Sequence, residues 1–430
     1  MPNRQASESK RLFERMERVM PAGNTRTTTF YRPFPVALAR GDGCRVWDVD
    51  GTEYIDLLSN YTSLVHGHGA PPIVAAVEAA IRSGSAHPAP LSLQYELAER
   101  ICSRVPAIEK VRFTNSGTEA VMVAVRAARA ITGRDMVVKA IGGYHGSWEQ
   151  VSLGASEDED IDASEVTLEP GVPAAVAQML RSVRYNDIGH LEATMAEIGS
   201  HVAAILLEPV LGHVIEPATA DYLRSARRLA DDYGALLILD EVITLRLYEG
   251  GVQAQLGIAP DLTTLGKVIG GGLPVAAVGG SDRAMEIFDP RRAPYIEHHG
   301  TFNGNTLGMA AGCASLDLLP QGEIDRINEL GDRLAAGLRE QLSSADAGLM
   351  LTQVGSLMNL RGEARALEAL HSAALDEGIY MAPRGMLCIS TPMDEPIVDE
   401  VLGRTQRAIA ACAAELRAAA VSSSRVTQPL

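Results

Sequence analysis

A lysine and two neighbouring acids stand where side chains of their kind can do chemistry. Asp240 and Glu241 end the apolar run ALLILDEV, and Lys267 follows in PDLTTLGKVIGGG, among apolar and glycine residues that would keep its stem from open water. Partial burial lowers the pKa of a lysine and frees its amine to form a Schiff base with a carbonyl. An ion pair with Asp240 or Glu241 is the structural alternative. The company the lysine keeps separates the two readings.

A lysine that carries pyridoxal phosphate needs an acid at the pyridine nitrogen, an aromatic plate for the ring and N–H donors for the phosphate. Each has a candidate. Asp240 closes the strand-like LLIL, which puts its carboxylate at the carboxyl edge of a parallel sheet, where α/β folds bind ligands; it is the expected pyridinium partner, with Val242 packing under the ring. Ser116, Gly117 and Thr118 in FTNSGTEAVMVAV read as a tight turn into a helix, whose first amides and dipole form an anion site. Ser or Thr followed by Glu is equally an ordinary helix start. AIGGYHGSWE offers Tyr144, beside His145, as a stacking plate or as a plain loop aromatic. Glu208 ends a strand in LLEPVLG, where it could contact the cofactor edge or cap a loop, and Thr301 in HHGTFNGN suits a phosphate contact.

The elements that must position these residues follow from the pattern. Short apolar runs, KVRFTNSG, DMVVKAIGG, HVAAILLEP and ALLILDEV, alternate with longer periodic stretches such as TEAVMVAVRAARAITG and ADYLRSARRLADDYG. Strands buried on both faces read as continuous apolar runs, and alternation with helices implies parallel crossovers. The fold class is therefore α/β, with helices on both faces of a sheet. Before it, Ser7–Met20 reads as an amphipathic helix ending at PAG, and VALARGDGCRVWDVDGTEYIDL as hairpin strands. The expected organisation is an N-terminal helix and hairpin segment at 1–60 packing with the small domain, a large cofactor-binding domain at 61–310, a C-terminal small α+β domain at 311–420 and a loose tail at 421–430.

Charge and composition remove other classes. A formal net charge of −16 without a basic stripe argues against nucleic acid. The N-terminus lacks a signal-like apolar stretch and no later run is long and apolar enough to span a bilayer, so a cytoplasmic protein without membrane partners is expected. Cys44, Cys102, Cys313, Cys388 and Cys412 are scattered, as suits neither a disulfide framework nor zinc. His66 with His68, and His298 with His299, lack the helical spacing that turns two imidazoles to one side, so no metal is expected.

In order and content, NSGTEA, GGYHG, LLEPV, LILDEV, PDLTTLGK with IGGG, and GTFNGN resemble the class III aminotransferases of pyridoxal phosphate fold type I. The resemblance covers nearly the whole chain. It implies a large, mostly parallel seven-stranded sheet beside a smaller α+β domain, with Lys267 as the Schiff-base lysine and proton carrier. It also implies Asp240 at the pyridine nitrogen, Tyr144 on the ring, and Ser116, Gly117 and Thr118 around the phosphate. The threonine matching Thr301 reaches the phosphate from the other subunit, so the implied assembly is a homodimer with shared active sites.

Within that family, TTLGKVIGGGLPVAAVGG resembles the branch of glutamate-1-semialdehyde aminomutases and β-amino-acid aminotransferases such as β-phenylalanine aminotransferase. DEVITLRL, GTFNGN in place of a mutase-like GT.SGNP, and Arg384 in YMAPRGMLCIS lean toward the second group. A β-amino donor and a 2-oxo acid acceptor (2-oxoglutarate or pyruvate) must use one site in turn, with carboxylates at different distances from the reacting carbon. Two guanidinium anchors would serve both, and Arg40 and Arg384 are the candidates; a surface ion pair is the plain alternative for each. Arg246 and the Tyr31–Phe34 loop are expected pocket walls, and the acidic stretch 153–176 is a candidate lid or a solvated loop. An intramolecular amino transfer of the aminomutase type and a racemase on the same scaffold remain open, whereas a binding protein without chemistry would be expected to lose Lys267 or Asp240.

Overall fold

The computed structural model describes residues 7–152 and 170–426, so most of the candidate lid lies outside the described residues. The chain forms two units, Met1–Ala70 with Asp325–Leu430, and Pro71–Ile324.

In the first unit a helix, Glu8–Met16, starts at Ser7, whose hydroxyl accepts the Lys10 amide. Three short strands follow: β1 (Leu38–Asp42), β2 (Arg45–Asp48) and β3 (Glu53–Asp56). The β2–β3 turn is built by Asp48, whose carboxylate accepts the Asp50 and Thr52 amides and the Tyr54 hydroxyl. This is the turn-forming use of a short acid that the DG signal predicts.

The second unit is organised around a sheet of seven strands. They are β4 (Lys110–Thr114), β5 (Met136–Ala140), β6 (Leu180–Val183), β7 (Val202–Leu207), then, after a small ribbon of β8 (Val210–Leu211) and β9 (Glu216–Pro217), β10 (Leu236–Asp240), β11 (Leu262–Leu265) and β12 (Ala276–Gly280). The spatial order is β4-β12-β11-β10-β7-β5-β6. β12 runs antiparallel to both its neighbours, and the other pairings are parallel.

Side chains alternate across the sheet, and both faces are covered. On one face Val137, Ala204, Leu206 and Ile238 pack with Val121, Ala124, Val125 and Ala128 of the Gly117–Thr132 helix. On the other, Val138, Ile205, Leu207, Leu237 and Leu239 pack with residues of the Ile188–Ile198 and Ala220–Tyr233 helices, among them Leu191, Tyr222 and Leu223. Burial on both faces explains why VAAILL and LLIL carry no polar alternation.

The chain then returns to the first unit with β13 (Met350–Val354), β14 (Leu357–Arg361), β15 (Ile379–Tyr380) and β16 (Met386–Cys388). β13, β14 and β16 form an antiparallel sheet, while β15 pairs in parallel with β3, joining the N- and C-terminal segments in one four-stranded sheet. The last helix runs Ala413–Val426, so the tail expected from 421 is helical as far as 426, and 427–430 lie outside the described residues. No helix among the described residues is long and apolar enough to cross a membrane, and none of their His, Cys, Asp and Glu side chains group in threes able to hold a metal.

Candidate active site

Parallel pairing with matched register sets two acids side by side. Leu207 of β7 pairs with Leu239 of β10, so the next residues, Glu208 and Asp240, leave neighbouring strands together. By alternation both lie on the face that Leu206 and Ile238 share with the Gly117–Thr132 helix.

That helix starts beside them. Ser116 is its N-cap in extended conformation, its hydroxyl accepting the Glu119 amide at 3.2 Å, while the Glu119 carboxylate takes the Asn115 amide at 2.8 Å. The remaining first-turn N–H groups point out of the helix end and carry its positive dipole. A Cβ placed on Gly117 or on Gly266 would come within 3.4 or 3.2 Å of the Val242 methyls. Val242 therefore links the helix start, the end of β10 and the residue before Lys267.

Lys267 follows β11 at the start of a short 3-10 turn, Lys267–Gly270, half-buried and with φ of 48°. A non-glycine residue in the left-handed region costs about 1–3 kcal/mol and persists where surrounding structure imposes it, most often at functional sites. Its charge reaches Glu208, whose acidity it favours.

The loop after β5 closes the cluster. Gly146 has φ of +102°, and a Cβ there would lie 2.5 Å from the Thr118 hydroxyl, so only glycine lets the loop lie against the helix start. Beside it, the Ser147 amide donates to that hydroxyl at 3.2 Å. The Tyr144 amide donates to Glu208 at 2.8 Å, and the residue is 58% exposed beside buried acids. His145 is buried, its Nδ1 2.9 Å from the Asp240 carboxylate. Burial pushes the His145 pKa down against the pull of Asp240, and since a carboxylate only accepts, Nδ1–H is the donor. His145 stands out in the sequence only as the neighbour of Tyr144; its role appears with the fold.

The two adjacent acids have separate fates. Asp240 faces the cluster, its other oxygen accepting the Val242 amide at 3.2 Å. Glu241 is fully buried and accepts the Thr244 hydroxyl and the Val252 and Gln253 amides; it holds the loop that leads to the Gly251–Leu256 helix. Burial pushes the Glu208 carboxyl up to about 8 from an ordinary 4.5, and the Asp240 charge adds to the rise. A carboxyl raised on folding binds extra protons in the folded state between those values, so the stability Glu208 contributes is fully present below about pH 4.5 and is lost as pH rises through about 8. In protein stripped of cofactor, the thermal midpoint is expected to fall across that window, and Glu208→Gln to flatten the fall. Parallel wild-type and variant profiles would contradict this.

Thr301 is exposed on the turn at 300–304, which is tied to the helix start by Asn115 donating to Asn303 at 2.7 Å. Arg40 and Arg384 belong to the other unit. Arg40 is exposed on β1 with its guanidinium carbon 3.5 Å from the Trp47 ring centroid. Arg384 is exposed in the turn between β15 and β16, which is closed by the Gly385 amide donating to Ala382. Arg246 is only 1% exposed, a side chain of the interior. In the Tyr31–Phe34 segment, Tyr31 packs edge-on against His371 and Phe34 is buried.

Residues 28–402 match the aminotransferase class-III family model. A β-phenylalanine transaminase from Variovorax paradoxus is 39% identical over 91% of this chain and 90% of its own length. A glutamate-1-semialdehyde 2,1-aminomutase from Methanothrix thermoacetophila is 38% identical over 92% and 95%. Among solved structures, a transaminase with PLP bound superposes with a TM-score of 0.91 at 36% identity, covering 95% of this chain and 98% of the other. The chain belongs to the class III aminotransferases and is a pyridoxal phosphate-dependent enzyme of that family.

Proposed function

We propose that this aminotransferase moves the amino group of a β-amino acid resembling β-phenylalanine to a 2-oxo acid such as 2-oxoglutarate or pyruvate, in a ping-pong sequence. The cofactor, when bound, supplies an electron sink that stabilises negative charge on the substrate carbon next to nitrogen. The side chains fit such a group chemically: a half-buried amine, an acid behind it, an accessible aromatic ring and a helix N-terminus. Ser116, Gly117 and Thr118 would hold the phosphate through hydroxyl and amide donors. Tyr144 and Val242 would take the two sides of the ring, and Asp240 would keep the pyridine nitrogen protonated.

Lys267 would hold the cofactor covalently at rest and, once displaced by the donor amine, carry the proton removed from the substrate carbon. Glu208 is read as a support of the Tyr144 loop at the cofactor edge. Thr301, exposed on its turn, is read as reaching the phosphate of a second subunit, which makes the assembly a homodimer; the compartment is read as the cytoplasm.

The choice of substrate rests on one observation above others. Arg40 and Arg384 are exposed guanidinium groups, Arg40 lying over Trp47, and neither is in an ion pair among the described residues, which supports reading them as free to take a substrate carboxylate. Two such forks suit a donor and an acceptor whose carboxylates lie at different distances from the reacting carbon. Replacing Arg384 by alanine is expected to raise KM for one of the two substrates about 10–100-fold, the worth of a hydrogen-bonded charge pair, with a smaller change in kcat. Steady-state kinetics varying each substrate checks it, and unchanged KM values would remove Arg384 from the site. The relative named as a glutamate-1-semialdehyde aminomutase favours a second reading, in which the amino group returns to the same carbon skeleton and no acceptor is needed.

A further inference from the structure

Lys139 is fully buried on β5, one strand in from the edge of the sheet, and has no part in the mechanism above. An ammonium in a protein interior is retained only where it is paired and hydrogen-bonded, so its contacts report what it is for. Lys139 lies on β5, two residues after Val137, and by alternation shares the face toward the Gly117–Thr132 helix. In register it pairs with Leu206, which pairs with Ile238. Along the strands it therefore lies one pleat behind Glu208 and Asp240, on the same face of three adjacent strands.

From there its Nζ donates to the carbonyl of Gly143 at 2.7 Å. That carbonyl belongs to the peptide whose N–H, on Tyr144, donates to Glu208 at 2.8 Å. A cation thus grips the oxygen of this peptide and an acid grips its hydrogen. The next side chain, His145, is fixed on Asp240. Three successive residues of one loop are held by ionisable side chains on β5, at the end of β7 and on β10.

We propose that Lys139 is a positioning residue that locks the Gly143–Tyr144 peptide plane against Glu208, and thereby sets both the Tyr144 ring and the His145 contact to Asp240. The inference rests on the reading of Tyr144 as the ring plate for its bearing on catalysis, but not for its geometry. A peptide polarised at both ends forms stronger hydrogen bonds than one held at a single end. Without the ammonium, the carbonyl is left in an apolar interior and the plane is free to turn over.

Hydrogen exchange of cofactor-stripped protein tests the geometry without reference to activity. In the wild type the Tyr144 amide, although in a loop, is expected to be as protected as the amides of β5; exchange at the rate of an exposed loop would overturn the proposal. In Lys139→Met, that amide is expected to exchange about 10–100-fold faster, with pyridoxal phosphate binding weakened on the same scale and the Ile188–Ile198 helix unchanged. Uniform acceleration along the chain would assign Lys139 a general stabilising role and overturn the proposal, as would no change at Tyr144. Lys139→Gln keeps a donor for Gly143 without the charge and is expected to restore most of the protection; a glutamine variant no better than methionine overturns it. Intact protection at Tyr144 with weak cofactor binding in every variant would instead count against the ring-plate reading.

Discussion

Lys267→Ala is expected to lower the rate of amino transfer by about 10²–10⁴-fold or more, the range associated with a lost general acid–base group, while the fold and the melting temperature stay close to wild type. The expectation follows from placement. Lys267 begins a 3-10 turn at the end of β11, half-buried, strained in φ and in electrostatic reach of Glu208. On the proposed roles, truncation would remove both the covalent anchor of the cofactor and the proton carrier. It also relieves no packing, since the neighbours Gly266 and Val268 are already buried. Stopped assays of the variant with saturating cofactor, alongside a thermal melt, check both halves. Residual turnover within tenfold of wild type would mean that another base moves the proton.

Asp240→Asn is expected to reduce kcat by about 10²–10³-fold, as for loss of one preorganised electrostatic contact, with cofactor still retained through the helix start. An amide has nearly the shape of the carboxylate and keeps an acceptor for the Val242 amide at 3.2 Å, while its NH2 keeps the 2.9 Å contact with His145 once that neutral ring carries its proton on Nε2 instead of Nδ1. It lacks the charge that would hold a proton on the pyridine nitrogen. The comparison therefore separates charge from shape: kcat falls while the dissociation constant of pyridoxal phosphate moves far less. Equal losses in both would reassign Asp240 to cofactor binding alone.

Much of this site was legible because local chemistry wrote it. Asp240 and Glu208 follow apolar strands, Ser116–Thr118 begin a helix after another, and glycine surrounds Lys267; each can be read within one short segment. What escaped is non-local. Asp240 and Glu241 look alike in sequence, and only the course of the chain after β10 turns Glu241 into the support of its own loop. His145 and Lys139 gain their meaning from β5, β7 and β10 being neighbours, an order that no periodicity encodes. The antiparallel β12 was hidden for the same reason: VAAVGG is as continuously apolar as the strands that pair in parallel, because it too is buried on both faces. The last helix extends to Val426 where a polar SSSRV suggested a tail. Serine and arginine are tolerated in a helix that already has a favourable alanine-rich start.

The central claim, transamination of a β-amino acid, is tested most directly by a single-turnover product assay. Cofactor-loaded enzyme is mixed with β-phenylalanine and no acceptor, the 3-oxo acid is quantified, and 2-oxoglutarate is then added. About one equivalent of 3-oxo acid per active site, the stoichiometry of a ping-pong half-reaction, followed by glutamate in matching amount, is the predicted result. No 3-oxo acid from β-phenylalanine, together with complete conversion of glutamate-1-semialdehyde in the absence of any acceptor, would contradict it and establish intramolecular amino transfer instead.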